Sequence, residues 1–569
     1  MTARWKQSWL VQKAVKFLKI KLARLQRFSW QAITYQAALE IDYLTFGWRY
    51  KGILQKNRGS LDPNNKLLIL SFSDYVAQVK AEAFWAKVLQ LHGFTPVMVT
   101  NSSLQRALKY YRIFGINQFE FFDKYLDRKL SQQALEEADA FFARSLTIQD
   151  IKNYEFHGTR LGAHMLRTFT RSTHKGSVDL SDPDTMRALK TLMLAGMLNV
   201  EQAEVLLKEV QPKMIFTHHP LNLGEGDIFE VGLQMGIDTI YWDAAQREDH
   251  WLFKRYKKNA RDKQIFSLSE ESWDLAQHVV WNDDCESKLW KEIDGRYQIN
   301  SGMDHRRLQE GKQIKTKEEV IQQLGLDPAK KTAIIFSHIV WDTSFLYGED
   351  LFGTYEEWLI ETVRAACKNP AVNWVVKLHP ANHRKLISNR VVEEPSEVIA
   401  IRKAIGDLPD HVKLLASNTD INTFSFFTLT DYCLTVRGTI GIEMPCFGIP
   451  VITAGTGRYS GRGFTIDSDS PEDYLIKLSH IQDLPPLNPQ QVLLAKKHAY
   501  WLFLMRPVKF DLIRNWVRGS LVKYATHPLV TNVLFEFDSL DDLASHPRLN
   551  NLAQWVIHDE QLDFYMNCI

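Results

Sequence analysis

The sequence predicts an α/β protein of two doubly wound, Rossmann-like domains facing one another across a cleft. Three observations carry this. At 569 residues the chain is too long for a single hydrophobic core. From Lys66 it alternates short apolar strand, polar turn and amphipathic helix. From Thr332 the same alternation begins again.

The first domain opens on Leu67-Leu68-Ile69-Leu70, a buried strand, followed by the polar turn Ser71-Phe72-Ser73-Asp74. The spacing predicts a helix over 75–92, closed by Gly93, and a second strand at Pro96–Val99. Short connections of this kind imply a right-handed βαβ unit and a parallel sheet. Helical sequence runs to about residue 211, and Met214–Thr217 is the next strand, leading into His218-His219-Pro220. A helix from about 227 to Gly236 and a strand over Ile237–Trp242 follow.

Residues 243–330 are charged and without a clear period. Their basic cluster (Lys254, Arg255, Lys257, Lys258, Arg261 and Lys263) reads as the solvated face of a partly helical connection. The second domain has strands at Thr332–Phe336, Asn373–Leu378, Val412–Leu415, Tyr432–Val436 and Pro450–Thr453, with a helix over 354–368. Residues 495–504 read as a helix crossing back to brace the first domain, and the tail to Ile569 as short helices. The expected divisions are 1–60 (basic helical segment), 61–265 (first domain), 266–330 (connection), 331–490 (second domain) and 491–569 (bracing helices).

Composition narrows the function classes. Apolar residues at 45% and charged residues at 24% suit a globular chain, and a net charge of +2 gives no ground for a nucleic-acid partner. Cys285, Cys367, Cys433, Cys446 and Cys568 are scattered without a CxxC pair, which argues for a reducing compartment and against structural zinc or a disulfide framework. No apolar run approaches the roughly 20 residues of a membrane span. No apolar signal region precedes a cleavage site, so the cytoplasm is the expected location.

Residues 4–36 carry Arg4, Lys6, Lys13, Lys16, Lys19, Lys21, Arg24 and Arg27, and no acidic residue precedes Glu40. Val11, Val15, Leu18, Leu22 and Leu25 fall on one stripe of a helix, with Lys13, Lys16, Arg24 and Arg27 opposite. Residues 4–30 therefore read either as a helix lying on an anionic membrane surface or as one packed on the protein's own core.

The segment richest in chemistry is Tyr432–Phe464, YCLTVRGTIGIEMPCFGIPVITAGTGRYSGRGF. A buried strand delivers Arg437 and Gly438 to its carboxyl end, and Thr439-Ile440-Gly441 begins a helix bearing Glu443. Small residues at such a turn let backbone N–H groups approach a phosphate. Arg437 is placed to add a bidentate bond, and Glu443 to accept from ribose hydroxyls. The loop Gly455–Gly463, with Arg458 and Arg462 between glycines, suits an anionic ligand; the alternative is a structural turn with solvent-facing arginines. Upstream, Lys377 and His379 alternate along one side of a strand ending in His379-Pro380, with Arg384 beyond.

The ordered elements FSHIVWDTSF, NWVVKLHPAN and TVRGTIGIEMPCFGIPVITAGTGRYSGRGFT resemble the bacterial capsule polysaccharide biosynthesis family, which includes the capsule Kdo transferases. The resemblance covers chiefly residues 331–480 and more faintly 214–275. It implies a GT-B fold with a nucleotide-activated sugar, CMP-linked in several members, held mainly by the second domain. By position, Lys377 and His379 correspond to the family's "HP" element near the donor phosphate, and Thr439, Gly441 and Glu443 to its donor-binding helix start. It also implies a glycan or lipid-linked acceptor, no cofactor beyond the substrate, and no catalytic metal.

On the acceptor side, the loop THHPLNLGEGD and the strand end at Asp243 supply His219, Glu225, Asp227 and Asp243, candidates to deprotonate a hydroxyl or act at the anomeric carbon. The same scaffold admits a nucleotide-sugar 2-epimerase, a CDP-polyol phosphotransferase, or a non-catalytic nucleotide-binding protein of a polysaccharide assembly complex.

Overall fold

The computed structural model describes residues 30–56, 61–126, 128–298, 308–341, 345–380, 382, 394–518, 531–558 and 560–566. The stripe Val11–Leu25 and Arg384 lie outside these residues. Two mainly parallel sheets organise the chain. The first contains β1 (Lys66–Leu70), β2 (Thr95–Thr100), β3 (Phe119–Phe121), β4 (Met214–Thr217), β5 (Asp238–Ala244) and β6 (His250–Tyr256). The second contains β7 (Thr332–Phe336), β8 (Asn373–Lys377), β9 (Val412–Leu415), β10 (Tyr432–Thr435) and β11 (Val451–Thr453). A short strand β12 (Val508–Lys509) returns to the first sheet.

The first sheet has the order β12-β6-β5-β4-β1-β2-β3 and the second β11-β10-β7-β8-β9. In each, five parallel strands wind outward from the first strand in one direction and then, after a reversal, in the other. Helices cover both faces, which is why the central strands are continuous apolar runs. Leu67 and Ile69 of β1 enter one core, while Leu68 and Leu70 enter the core on the other face. Ala333 and Ile335 divide from Ile334 and Phe336 of β7 in the same way.

The basic run at 254–263 departs from the sequence reading. It begins inside β6, which pairs antiparallel with β5 and extends the first sheet. Lys254 and Arg255 are buried. Lys254 donates to Asp563 at 2.7 Å and to the Ser267 carbonyl at 2.9 Å. Arg255 pairs with Asp238 at 2.9 Å and lies over the Trp555 ring. A run of charges reads as solvated when no partner is near in sequence; here one carboxylate lies 309 residues away.

The carboxyl-terminal part does cross back. The helix Pro489–Tyr500 passes through a single π-type turn, Trp501–Met505, and β12 then pairs with β6. Beyond it the structure has an antiparallel hairpin, β13 (Ile513–Arg518) with β14 (Thr531–Phe535), where the sequence suggested only helices. Phe535 stacks on Phe84 of the helix Val76–Leu91 at 5.3 Å between centroids, so the tail completes the first core. The helix Trp30–Leu54 joins the same core and is fastened by Asp42, which pairs with buried Lys80 at 2.7 Å. No helix among the described residues is long and apolar enough to cross a membrane.

Candidate functional site

In a doubly wound sheet, ligands bind beyond the carboxyl ends of the strands where the winding reverses. In the second sheet that point lies between β7 and β10. The loops after β7, β8 and β10 line one cavity of about 510 Å³. The loop following Val436 and the strand tip at His379 therefore converge. Lys377, His379, Arg437, Gly438, Thr439, Glu443 and Arg458 all line this cavity; Gly441 and Arg462 do not.

Lys377 is the most telling of these. Its side chain is buried, and among the described residues no carboxylate pairs with it. Its ammonium instead lies 5.6 Å from the centre of the Phe336 ring and 5.7 Å from that of Phe426. Burial, helped by the like charge of Lys312, lowers its pKa to about 7. A buried cation without a counter-ion is costly unless an anion arrives to neutralise it.

Arg437 does something other than the sequence suggested. Its guanidinium is buried and already bound by the protein. It pairs with Asp350 at 2.6 Å and donates to the Tyr355 hydroxyl at 2.8 Å and to the Thr456 and Glu349 carbonyls at 3.0 and 3.2 Å. It thus ties the loop at 349–350 to the glycine loop. Gly455 is part of that tie: a Cβ there would fall 2.6 Å from the Glu349 carbonyl oxygen. Arg458 donates to Thr439 Oγ1 at 3.1 Å and faces the cavity. Arg462 turns away to Glu270, at 2.5 Å, and to the Trp273 ring.

The helix bearing Glu443 is only Ile440–Glu443, running into a 3₁₀ turn, so the expected helix-start dipole is small. Glu443 accepts from the Tyr297 hydroxyl at 2.5 Å and from Arg296 at 3.3 Å. Burial nevertheless raises its pKa, against the pull of Arg296. Gly441 is a packing residue. A Cβ there would meet the buried Tyr459 hydroxyl at 2.0 Å, and that hydroxyl donates to the Gly438 carbonyl at 2.8 Å. Gly441→Ala is expected to cost about 1–3 kcal/mol as an overpacked site. Its thermal midpoint should fall and the turn at Gly438 should be displaced; a wild-type midpoint would contradict this.

His338 was absent from the sequence candidates. Its signal was the polar Ser337-His338 immediately after β7, on the inner side of the reversal. Its Nε2 accepts from the backbone N–H groups of Val436 and Arg437 at 3.2 and 3.4 Å. Burial and Arg437 lower its pKa to about 3. It is therefore a neutral imidazole whose Nδ1 carries the proton, held at the cavity wall.

The first sheet has its own reversal, between β1 and β4, and the acceptor-side candidates gather there. His219 adopts a left-handed φ of 62°, which lets two successive imidazoles lie side by side, 5.2 Å apart and nearly parallel. His218 Nε2 lies 3.3 Å from Asp243 Oδ1, and His219 Nδ1 is 2.9 Å from the Tyr241 hydroxyl. Burial opposes charge on both His218 and Asp243, yet each outweighs it for the other: the His218 pKa rises and that of Asp243 falls. The donor atoms of His218, His219 and Asp243 lie within 4.8 Å of one another, a grouping that could hold a metal ion. His218 too was missing from the sequence candidates.

Glu225 accepts from the Phe72 N–H at 3.2 Å, bridging the loops after β1 and β4. Burial and nearby Glu82 raise its pKa to about 8. Asp227 stands apart. It caps its own helix, accepting from the Gly224 N–H and from Asn199, both at 2.8 Å, and is buried. That geometry is structural.

The two reversal points belong to one cleft. Gln246, just beyond β5, reaches Thr439 Oγ1 at 3.5 Å and accepts from Arg296 at 3.1 Å; Gln264 lines the cavity of the second half. Leu346 and Tyr347, from the loop after β7, enter a core of the first half. Two doubly wound α/β domains whose strand-tip loops meet over a basic cavity define a GT-B-type architecture.

No protein-family model matches the chain, and neither does any curated protein. Among solved structures, the chain is similar to KpsC of Thermosulfurimonas dismutans, a β-Kdo 2,7 transferase. The identity is 14%, over 57% of this chain and 84% of that one, with a TM-score of 0.32. It is also similar to a UDP-GlcNAc 2-epimerase from Neisseria meningitidis bound to UDP-GlcNAc, at 11% identity over 77% and 97%, TM-score 0.26. A third is MnaA of S. aureus with UDP, at 12% identity over 77% and 92%, TM-score 0.27.

Proposed function

We propose that the protein is a glycosyltransferase that moves a sugar from a nucleotide-activated donor to a growing surface polysaccharide or its lipid-linked acceptor, in the cytoplasm. The observation carrying this reading is Lys377: a buried ammonium with no carboxylate partner among the described residues, opening on a cavity at the reversal point of a doubly wound sheet. The donor phosphate supplies the missing counter-ion. Arg458 and the Nδ1–H of His338 add donors around it, and Glu443 takes a ribose hydroxyl at the inner wall. A CMP-linked sugar acid, the donor of several members of the family that the motifs resemble, is one of the nucleotide-activated sugars to be tested.

Across the cleft, Glu225 and the His218–Asp243 pair serve the acceptor. A carboxyl group whose pKa is about 8 exchanges protons near neutrality, as a general acid or base must. Arg437 works indirectly, by holding the loops that shape the cavity.

Thermal unfolding in the presence of CMP-, UDP-, GDP- and CDP-linked compounds tests the reading. One nucleotide class should raise the midpoint, since saturation at 100 times Kd adds about 2.7 kcal/mol to stability. Product analysis with that donor then separates transfer from free-sugar epimerisation. No shift with any compound, or an epimerised free sugar, would overturn the proposal.

A further inference from the structure

The helix Trp30–Leu54 buries Leu39, Asp42, Phe46 and Tyr50 against the first core. Its opposite ridge carries Ile41, Leu44 and Trp48, exposed by 42%, 65% and 90%. Their spacing of three and four residues sets them in one line along two turns. A lone exposed leucine is ordinary, but a tryptophan with two aliphatic residues in register forms an apolar ridge.

The surroundings of that ridge are cationic. Arg49, Lys51 and Lys56 lie on or just past the same helix. The adjoining helix Gln105–Ile113 adds Arg106, Lys109 and Arg112 and has no acidic residue. The two helices are joined directly: Lys109 lies over the Tyr43 ring, Gln55 donates to the Arg112 carbonyl at 2.9 Å, and Arg106 donates to Gln36 at 2.9 Å. The acids nearby are Glu40, exposed on the same helix, Asp538, 3.8 Å from Arg49, Glu536 beside Tyr50, and Asp74, which accepts from the Ala107 N–H at 3.0 Å; Asp42 is buried and neutralised by Lys80. Six cations therefore outnumber the four carboxylates not already paired with Lys80. The chain entering this helix keeps the same sign, with eight Lys or Arg and no Asp or Glu in residues 1–39.

We propose that the Ile41–Leu44–Trp48 ridge of the helix Trp30–Leu54 is a docking surface for an anionic lipid bilayer. The indole and aliphatic groups enter the interfacial region, where tryptophan is favoured, and the flanking cations face lipid phosphates. Each Lys or Arg near an anionic surface contributes about 1 kcal/mol, so the cationic rim sets the lipid preference while the ridge supplies the insertion. The surface is independent of the donor cavity.

The test is co-sedimentation of the full chain with phosphatidylcholine vesicles, with and without phosphatidylglycerol. Binding is expected only to the anionic vesicles, weakening as salt rises. Trp48→Ser and Leu44→Ser should each lower vesicle affinity about tenfold or more, and Lys51→Glu with Lys109→Glu should do the same. All four positions are exposed, so the thermal midpoint and nucleotide-induced shift should stay at wild-type values, separating this surface from the active-site reading. Unchanged vesicle affinity in Trp48→Ser and Leu44→Ser would overturn the proposal. So would a concentration-dependent dimer that Trp48→Ser abolishes, which would assign the ridge to a second copy of the chain.

Discussion

Asp563→Ala is expected to destabilise the protein by about 3–5 kcal/mol, the cost of breaking a buried ion pair from one side. The Asp563 carboxylate is fully buried between Lys254 Nζ at 2.7 Å and Arg506 at 3.1 Å, and it also accepts from the Ser269 N–H at 2.7 Å. Removing it leaves two cations in the interior with no counter-charge. Lys254→Met in the same background should recover part of the loss, because the remaining uncompensated charge is halved.

The same carboxylate gives the fold an acid-labile point. Burial pushes its pKa up, but Arg506 and Lys254 more than offset this and hold it at about 2. A carboxylate with a depressed folded pKa contributes stability above its unfolded value, near 4, and loses it as pH falls to about 2. Urea unfolding followed across that window should show a steeper acid loss in the wild type than in Asp563→Ala. Equal midpoints for the two proteins at neutral pH would show that the tail does not latch the first domain.

Lys377→Ala is expected to weaken donor binding by about 2–5 kcal/mol, roughly 30-fold or more, because it removes one partner of a desolvated charge pair. The pH dependence has a definite sign. Only the ammonium form neutralises a phosphate, and the free group has a pKa of about 7. Donor affinity should therefore hold below pH 7 and fall as pH rises above it. Lys312, His338, His379 and Arg437 share this region, so the control is Lys377→Arg, which stays charged and should flatten the profile.

Without ligand, the linkage runs the other way. Between about pH 7 and 10 the unfolded chain holds a proton on Lys377 that the folded chain lacks, so this site's contribution to stability rises with pH. Lys377→Ala should remove that slope. Calorimetric titration with the donor class found by thermal shift checks the binding claim; equal affinities for wild type and Lys377→Ala would refute it.

Much of the scaffold was legible in the sequence. Central strands such as Thr332–Phe336 are apolar throughout because they are covered on both faces, and the turn residues around them mark their ends. The strand tips holding Lys377 and Thr439 could be located for the same reason. β6 could not, since Lys254 looks solvated until Asp563 is brought to it, and Arg255 until Asp238 and the Trp555 ring meet it. The hairpin β13–β14 and the edge strand β12 were equally hidden, because their packing partners lie hundreds of residues earlier in the chain.

The site divides in the same way. In the sequence Arg437, Arg458 and Arg462 are all candidates for an anionic ligand, the first at a strand end and the other two in a glycine loop. In space, Asp350 engages the first and Glu270 the third, while the second opens on the cavity. Asp227 and Glu225 sit two residues apart in one loop, yet one caps a helix and the other bridges two strand tips. By itself the sequence determined the central parallel strands and the helices between them, because hydrophobic periodicity is a local property of the chain. Only the tertiary structure decided which charges meet a ligand, because desolvation and neutralisation depend on groups brought together from distant parts of the chain.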